Sequence, residues 1–201
     1  MATRTYIAGT DIIPRHLTLG AGEALELCLA VLPGVSCEIP LQVDITGPGA
    51  SLGIYGVYLC GADEQLSFDI NVRHLSGGSV SRQLLKGIVG GRARVGFHGM
   101  IYVQRDAQQT KAYQENHNIL LSDQATVATE PQLEIYADDV ECSHGATAGA
   151  LDEAQLFYLR SRGVPLREAR AMQMLSFVSP VLEHLGDSAL REKILSLVTD
   201  L

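Results

Sequence analysis

The sequence predicts a mainly β protein that closes with a short α-helical segment. Three observations lead there. Apolar and polar residues alternate through most of the first 149 residues, the alternating runs restart at a near-constant interval, and the period turns helical after Gly149. Residues 1–149 are therefore assigned to a β core and residues 150–201 to a C-terminal helical segment.

Leu25, Leu27, Leu29 and Val31 open the alternation, and Ile39, Leu41, Val43 and Ile45 repeat it. Leu66, Phe68, Ile70 and Val72 follow, then Ala93, Val95, Phe97, Gly99, Ile101 and Val103. A period of two sets one side of each strand against a core. Turn residues separate the runs, as at Pro33-Gly34, Gly47-Pro48-Gly49, Gly61-Ala62-Asp63, Gly77-Gly78 and Gly90-Gly91. Comparable positions fall at Leu25, Ile39, Leu52, Leu66 and Val80, in steps of 14, 13, 14 and 14. Two such steps make one coil of a flattened β-helix with two faces. An antiparallel sandwich with evenly spaced strands gives a similar pattern, so spacing alone leaves both open.

Beyond Gly149, Asp152 and Gln155 form a D-x-x-Q arrangement that caps a helix start in both directions. Leu156, Phe157, Leu159 and Arg160 continue this helix, and Gly163 ends it in the left-handed conformation. Pro165 suits the first position of a second helix. Leu166, Ala169, Met172, Leu175, Val178 and Leu182 give that helix an apolar stripe, with Pro180 expected to kink it or end it early. Gly186 and Asp187 break the chain before a last helix from Ser188 to Val198.

Composition narrows the function. Hydrophobic residues make up 46% of the 201 and charged residues 19%, enough apolar material for a sizeable core. The formal net charge of -8 argues against nucleic-acid partners, which require clustered Lys and Arg, and against a polybasic membrane contact. No targeting segment is visible, and the longest apolar stretch, Ala24 to Val35, contains Glu26 and is too short to span a bilayer. Cys28, Cys37, Cys60 and Cys142 show no CxxC spacing and read as reduced thiols of a cytoplasmic protein.

No GxxxxGK[S/T] phosphate loop is present, so the chain is not expected to hydrolyse ATP. Gly87, Gly90 and Gly91 read as turn glycines between strands. Cys142 and His144 stand two apart in an extended segment and project to the same side. Thiolate and imidazole make a soft pair for iron or zinc, but two donors do not complete a site. The residues alone favour a small buried cysteine beside a hydrogen-bonded histidine. Ser143 points to the other face, away from His144, which argues against a Ser–His pair. Asp138 and Asp139 read as a solvated turn. Phe157, Tyr158, Arg160 and Arg162 form an aromatic and basic cluster, either a partner-docking element or a core Phe157 beside salt-bridged arginines. His16, His74, His98, His117 and His184 have no ligand spacing and are taken as structural.

The stretch from Pro131 to Gly163 changes the balance. Its core, EIYADDVECSHGAT followed by DEAQLFYLRSRG, resembles the SufD family. A weaker similarity covers Ser81 to Lys86, Val95 to Gly99 and Asn116 to Leu121. The paralogous SufB chains carry a cysteine in the coil corresponding to Asn116 and a Glu where this chain has Gly145; this chain has neither and keeps Cys142 and His144. The resemblance implies a right-handed parallel β-helix followed by helices. It implies a non-enzymatic scaffold in iron–sulfur cluster assembly, working with a SufB-like chain and a SufC-like ABC ATPase that docks on the helices around Phe157, Tyr158, Arg160 and Arg162. It also implies that His144, with Cys142 secondary, meets iron or a transient cluster at the interface, with no cluster held stably by the chain alone. Family members run about twice as long, so the chain is expected to be a compact variant that pairs with a SufB-like chain or with itself. A polysaccharide lyase or hydrolase on a β-helix is the competing enzyme class, disfavoured by 5% aromatic content and the lack of Trp. A metal-free β-sheet interaction module is the third reading.

Overall fold

The computed structural model describes residues 2–201. Eleven strands come first: β1 (Ala2–Ile7), β2 (His16–Leu19), β3 (Ala24–Val31), β4 (Cys37–Ile45), β5 (Ser51–Cys60), β6 (Gln65–His74), β7 (Val80–Val89), β8 (Arg94–Val103), β9 (Thr110–Leu120), β10 (Thr126–Ile135) and β11 (Val140–Gly149). Three helices follow, α1 (Glu153–Ser161), α2 (Leu166–Leu182) and α3 (Ser188–Asp200).

Odd strands form one sheet in the order β1-β3-β5-β7-β9-β11, and even strands form the other in the order β10-β8-β6-β4-β2. Every pairing within them is parallel. The chain thus winds as a flattened β-solenoid of about five turns, and the antiparallel sandwich is ruled out. Leu25 sits beside Leu52, Ser51 beside Val80 and Leu66 beside Val95, so the central coils take 27 to 29 residues, twice the interval read from the sequence.

In-register parallel strands stack equivalent side chains into ladders running along the solenoid. Leu27, Ile54, Gln83, Gln114 and His144 form one inward ladder of the odd sheet. Leu25, Leu52, Ser81, Ala112 and Cys142 form the next. The early coils are filled by Leu, Ile, Val and Phe from both sheets, whereas the later ones place Gln83, Gln114, Asn116 and Asn118 inside. Gly87 lies within β7 rather than in a turn. A Cβ there would overlap the Tyr58 ring and stand 2.6 Å from Asn118 Oδ1, so the strand needs a residue without a side chain. Gly91 does turn the chain, at φ +57°.

The helices cover the outer face of the odd sheet. Cys28, Ala30, Val57, Leu59 and Ile88 meet Met174, Val178, Val181, Leu182, Leu185, Leu190, Ile194 and Val198 in a second apolar cluster. Asp152 caps α1 by accepting from the N–H groups of Ala154 and Gln155 at 2.8 and 3.1 Å. The reciprocal contact expected of Gln155 is made by Gln173 of α2, which accepts from Asp152 N and donates to Asp152 O. Gly163 ends the helix at φ +89°, as expected. Pro165 is the N-cap of α2, one residue earlier than expected. Pro180 lies within α2, which runs two residues past it to Leu182. The stripe is also rotated: Leu166 and Met172 are exposed while Met174 and Val181 are buried, because this face must meet both the sheet and α3. Among the described residues, no helix is long and apolar enough to cross a membrane.

Candidate functional site

β11 is the last strand of the odd sheet and β10 the last of the even sheet, so both present an unpaired backbone edge at the same end of the solenoid. The resemblance marked two residues on this rim. Cys142 stacks on Ala112 and His144 on Gln114, both on the inward side. Cys142 is half-buried against the cluster of Ile101, Val103, Ala107, Ala112 and Ala137. His144 is exposed, one rung pair further along the strand. Ser143 stacks on Tyr113, on the outward side as expected. Asp138 and Asp139 lie in the exposed bend between β10 and β11.

Burial pushes the Cys142 thiol above its usual range, against an opposing backbone hydrogen bond from Ala112. The thiol form is therefore favoured over the thiolate that binds metal. The exposed His144 imidazole is the better-presented donor. Imidazole and sulfur both suit iron, but two donors fill at most half of a four-coordinate shell. Among the described residues, no three His, Cys, Asp or Glu side chains are grouped to hold a metal ion.

Phe157 and Tyr158 are 75% and 58% exposed on α1, so the core-packing reading of Phe157 does not hold. Leu156 is the residue that α1 buries. Arg162 stacks over the Tyr158 ring at 5.2 Å. Arg160 joins Leu120, Leu156, Leu166 and Arg170 around a cavity of about 590 Å³ between α1, α2 and the β9–β10 turn. These residues lie on the helical segment and the His144 pair on the solenoid rim.

Sequence reasoning missed the polar interior. Tyr58 donates to Asn118 Oδ1 and accepts from Asn116 Nδ2 at 3.0 Å, while Asn118 donates to Asn116 Oδ1 at 2.9 Å. Gln114 Nε2 donates to Gln83 Oε1 at 3.1 Å. His74 is fully buried between the Ser79 and Ser81 hydroxyls, at 2.7 and 2.8 Å. The even-phase positions of β9, read at period two, carried this signal as Gln114, Asn116 and Asn118. Glu64 is also buried, its carboxylate held below the usual range because N–H groups of Gly34, Ala62 and Gly61 outweigh the effect of burial. The remaining histidines each meet a local partner: His16 meets Asp44, His98 meets Glu130, His117 meets Thr147, and His184 meets Glu26. On the outer face of the even sheet, Asp44 also meets the Arg73 guanidinium at 3.5 Å.

The family model "SUF system FeS cluster assembly, SufBD core domain" matches residues 15–177. The chain is 39% identical over 166 residues to the iron–sulfur cluster assembly protein SufD of Escherichia coli (strain K12), covering 83% of this chain and 39% of the relative. It is 36% identical over 154 residues to the chloroplastic protein ABCI7 of Arabidopsis thaliana, covering 76% and 32%. Against SufD of Bacillus subtilis (strain 168) it is 31% identical over 150 residues, covering 73% and 34%. It therefore spans less than half the length of these relatives. A solenoid matched through most of its coils, together with this identity to SufD chains, places the protein in the SufBD family of iron–sulfur cluster assembly proteins, on its SufD side.

Proposed function

We propose that the chain is a non-enzymatic assembly subunit that brings His144, with Cys142 behind it, to an interface where iron or a nascent iron–sulfur cluster is handled as cargo. The observation that carries this reading is the position of the pair: both lie on the inward side of β11, at the end where both sheets have open edges. A second SufBD-type chain, SufB-like or another copy, adds to those edges by strand pairing and brings the missing donors. Ile135 and Tyr136 are exposed beside the edge of β10 and extend the contact. The cluster is transient, since one chain supplies two donors, of which the thiol is disfavoured as thiolate.

The helical segment serves a different partner, a SufC-like ABC ATPase. Phe157 and Tyr158 present aromatic surface next to Arg160 and Arg162, the residue types that dominate binding energy in interfaces. Nucleotide-driven movement of the ATPase then reaches the solenoid through α2 and α3. The setting is the cytoplasm, without nucleic-acid or membrane partners.

Anaerobic reconstitution with iron and sulfide tests the proposal. The chain alone is expected to show no stable cluster absorbance, and its complex with a SufB-like chain and the ATPase is expected to show it. A stable cluster on the isolated chain contradicts the shared site.

A further inference from the structure

Gln114 stands directly beneath His144 in the inward ladder, with Gln83 beneath it in turn. Both glutamines are buried. Gln114 directs its Nε2 at Gln83 Oε1, at 3.1 Å, which leaves two atoms of the pair buried with no partner: Gln83 Nε2 on the far side and Gln114 Oε1. The amide is confined from the opposite sheet. A Cβ on Gly99 of β8 would stand 2.5 Å from Gln114 Nε2 and Oε1, so the backbone of β8 lies against the amide plane. The neighbouring interior amide, Asn116, is already engaged with Tyr58 and Asn118. Among the described residues, no hydrogen bond holds either ring nitrogen of His144. A buried carbonyl oxygen without a donor is costly, and an exposed imidazole next to it has an N–H to give. Rungs of one parallel ladder stand about 4.8 Å apart, a span that a rotation of the His144 side chain closes to hydrogen-bond distance.

We propose that Gln114 is the positioning residue for His144: its Oε1 accepts the N–H of one ring nitrogen and turns the other, unprotonated, toward the open rim. Iron takes the unprotonated nitrogen of a neutral imidazole, and the hydrogen bond made by the second nitrogen decides which one that is. Gly99 keeps the amide in place by leaving room for it and for nothing larger. The inference rests on the reading that His144 meets iron.

The test is the tautomer of His144 in the whole chain, read from nitrogen–proton NMR correlations of 15N-histidine-labelled protein at pH 8.5, with the signal assigned by its loss in His144→Gln. The unsubstituted chain is expected to show one dominant tautomer. Gln114→Met, which keeps the length and removes the acceptor, is expected to give a mixture, and Gln114→Glu to restore a single form. Asn116→Ser disturbs the same interior one rung along and is expected to leave the tautomer unchanged. If Gln114→Met fails to fold, Gln114→Asn reads the same contact, since it keeps the amide and withdraws the oxygen. A tautomer ratio that is equal in the unsubstituted chain and in the Gln114 variants overturns the proposal. Failure of the iron reading is separate: there, Gln114 still fixes the tautomer while cluster yield is indifferent to His144.

Discussion

The imidazole of His184 lies flat on the phenol ring of Tyr55, with centroids 3.4 Å apart and planes 7° from parallel. Tyr55 belongs to β5, and His184 follows the end of α2, so one stacked pair ties the helical segment to the outer face of the odd sheet. Glu26 of β3 approaches His184 Nδ1 at 3.3 Å from the side. Replacing His184 by Ala is expected to weaken helix docking by about 1 kcal/mol, the usual worth of an aromatic pair beyond its buried area. Hydrogen exchange reads this directly: amides of α2 and α3 should exchange faster, while those of β4 and β6 keep their protection.

The helical segment matters because α1 is the proposed seat of the ATPase. Phe157→Ser and Tyr158→Ser remove exposed side chains, so thermal stability should stay within about 0.5 kcal/mol of the parent. Affinity for a SufC-like subunit should fall about 30-fold or more for a residue worth 2 kcal/mol at an interface. Truncation before Leu151 should abolish binding. Calorimetric titration showing unchanged affinity in both variants would place the docking surface elsewhere.

Inside the solenoid, the Tyr58 hydroxyl bridges Asn116 and Asn118 in a closed set of polar contacts. Tyr58→Phe leaves two buried amides short of a partner and is expected to lose about 1–3 kcal/mol. Gly87→Ala drives a methyl group into the Tyr58 ring and should cost a similar amount through overpacking, about 1–3 kcal/mol. Urea midpoints of the two variants, and a double variant that falls short of additivity, check that they act on one contact.

His74 gives the stability a pH dependence. Burial lowers its pKa from 6.5 to about 4 in the folded chain. Above pH 6.5 folded and unfolded chains are both neutral at this site, and its contribution is fully present. As pH falls from 6.5 toward 4 the unfolded chain takes up the proton first, so stability drops, by up to about 3 kcal/mol at 1.36 kcal/mol per pH unit. His74→Leu should flatten the acid limb of a stability–pH curve in that window. An unchanged limb would mean that the ring protonates in place.

The sequence made the middle of the solenoid readable because β3, β4, β6 and β8 fill most of their inward positions with Leu, Ile, Val and Phe. It hid the strands toward the ends. β9 turns Thr110, Ala112, Gln114, Asn116 and Asn118 inward, and polar residues erase the apolar beat that marks a strand. β1 turns Ala2, Arg4 and Tyr6 toward the Leu25, Leu27 and Leu29 ladders, with the same result. The parallel pairing itself was beyond spacing, which fits a sandwich equally well, and it was the stretch around Cys142 and His144 that decided between them. The same stretch located the pair on one strand, but not the rim. That placement depends on β11 having no neighbour beyond it, which is a property of the whole sheet rather than of any segment. The rotation of the α2 stripe was hidden for a similar reason, since Met174 is buried in a cluster that the sheet and α3 close together.

His144, with Cys142 secondary, is the residue proposed to handle the cargo. The decisive measurement is cluster absorbance after anaerobic reconstitution of the complex containing either His144→Ala or Cys142→Ala. His144→Ala removes an exposed side chain, so the fold and the complex should persist while cluster yield falls severalfold. Cys142→Ala should lower the yield less. Undiminished yield in the His144 variant, with the complex intact, would contradict the account and leave the chain a purely structural subunit.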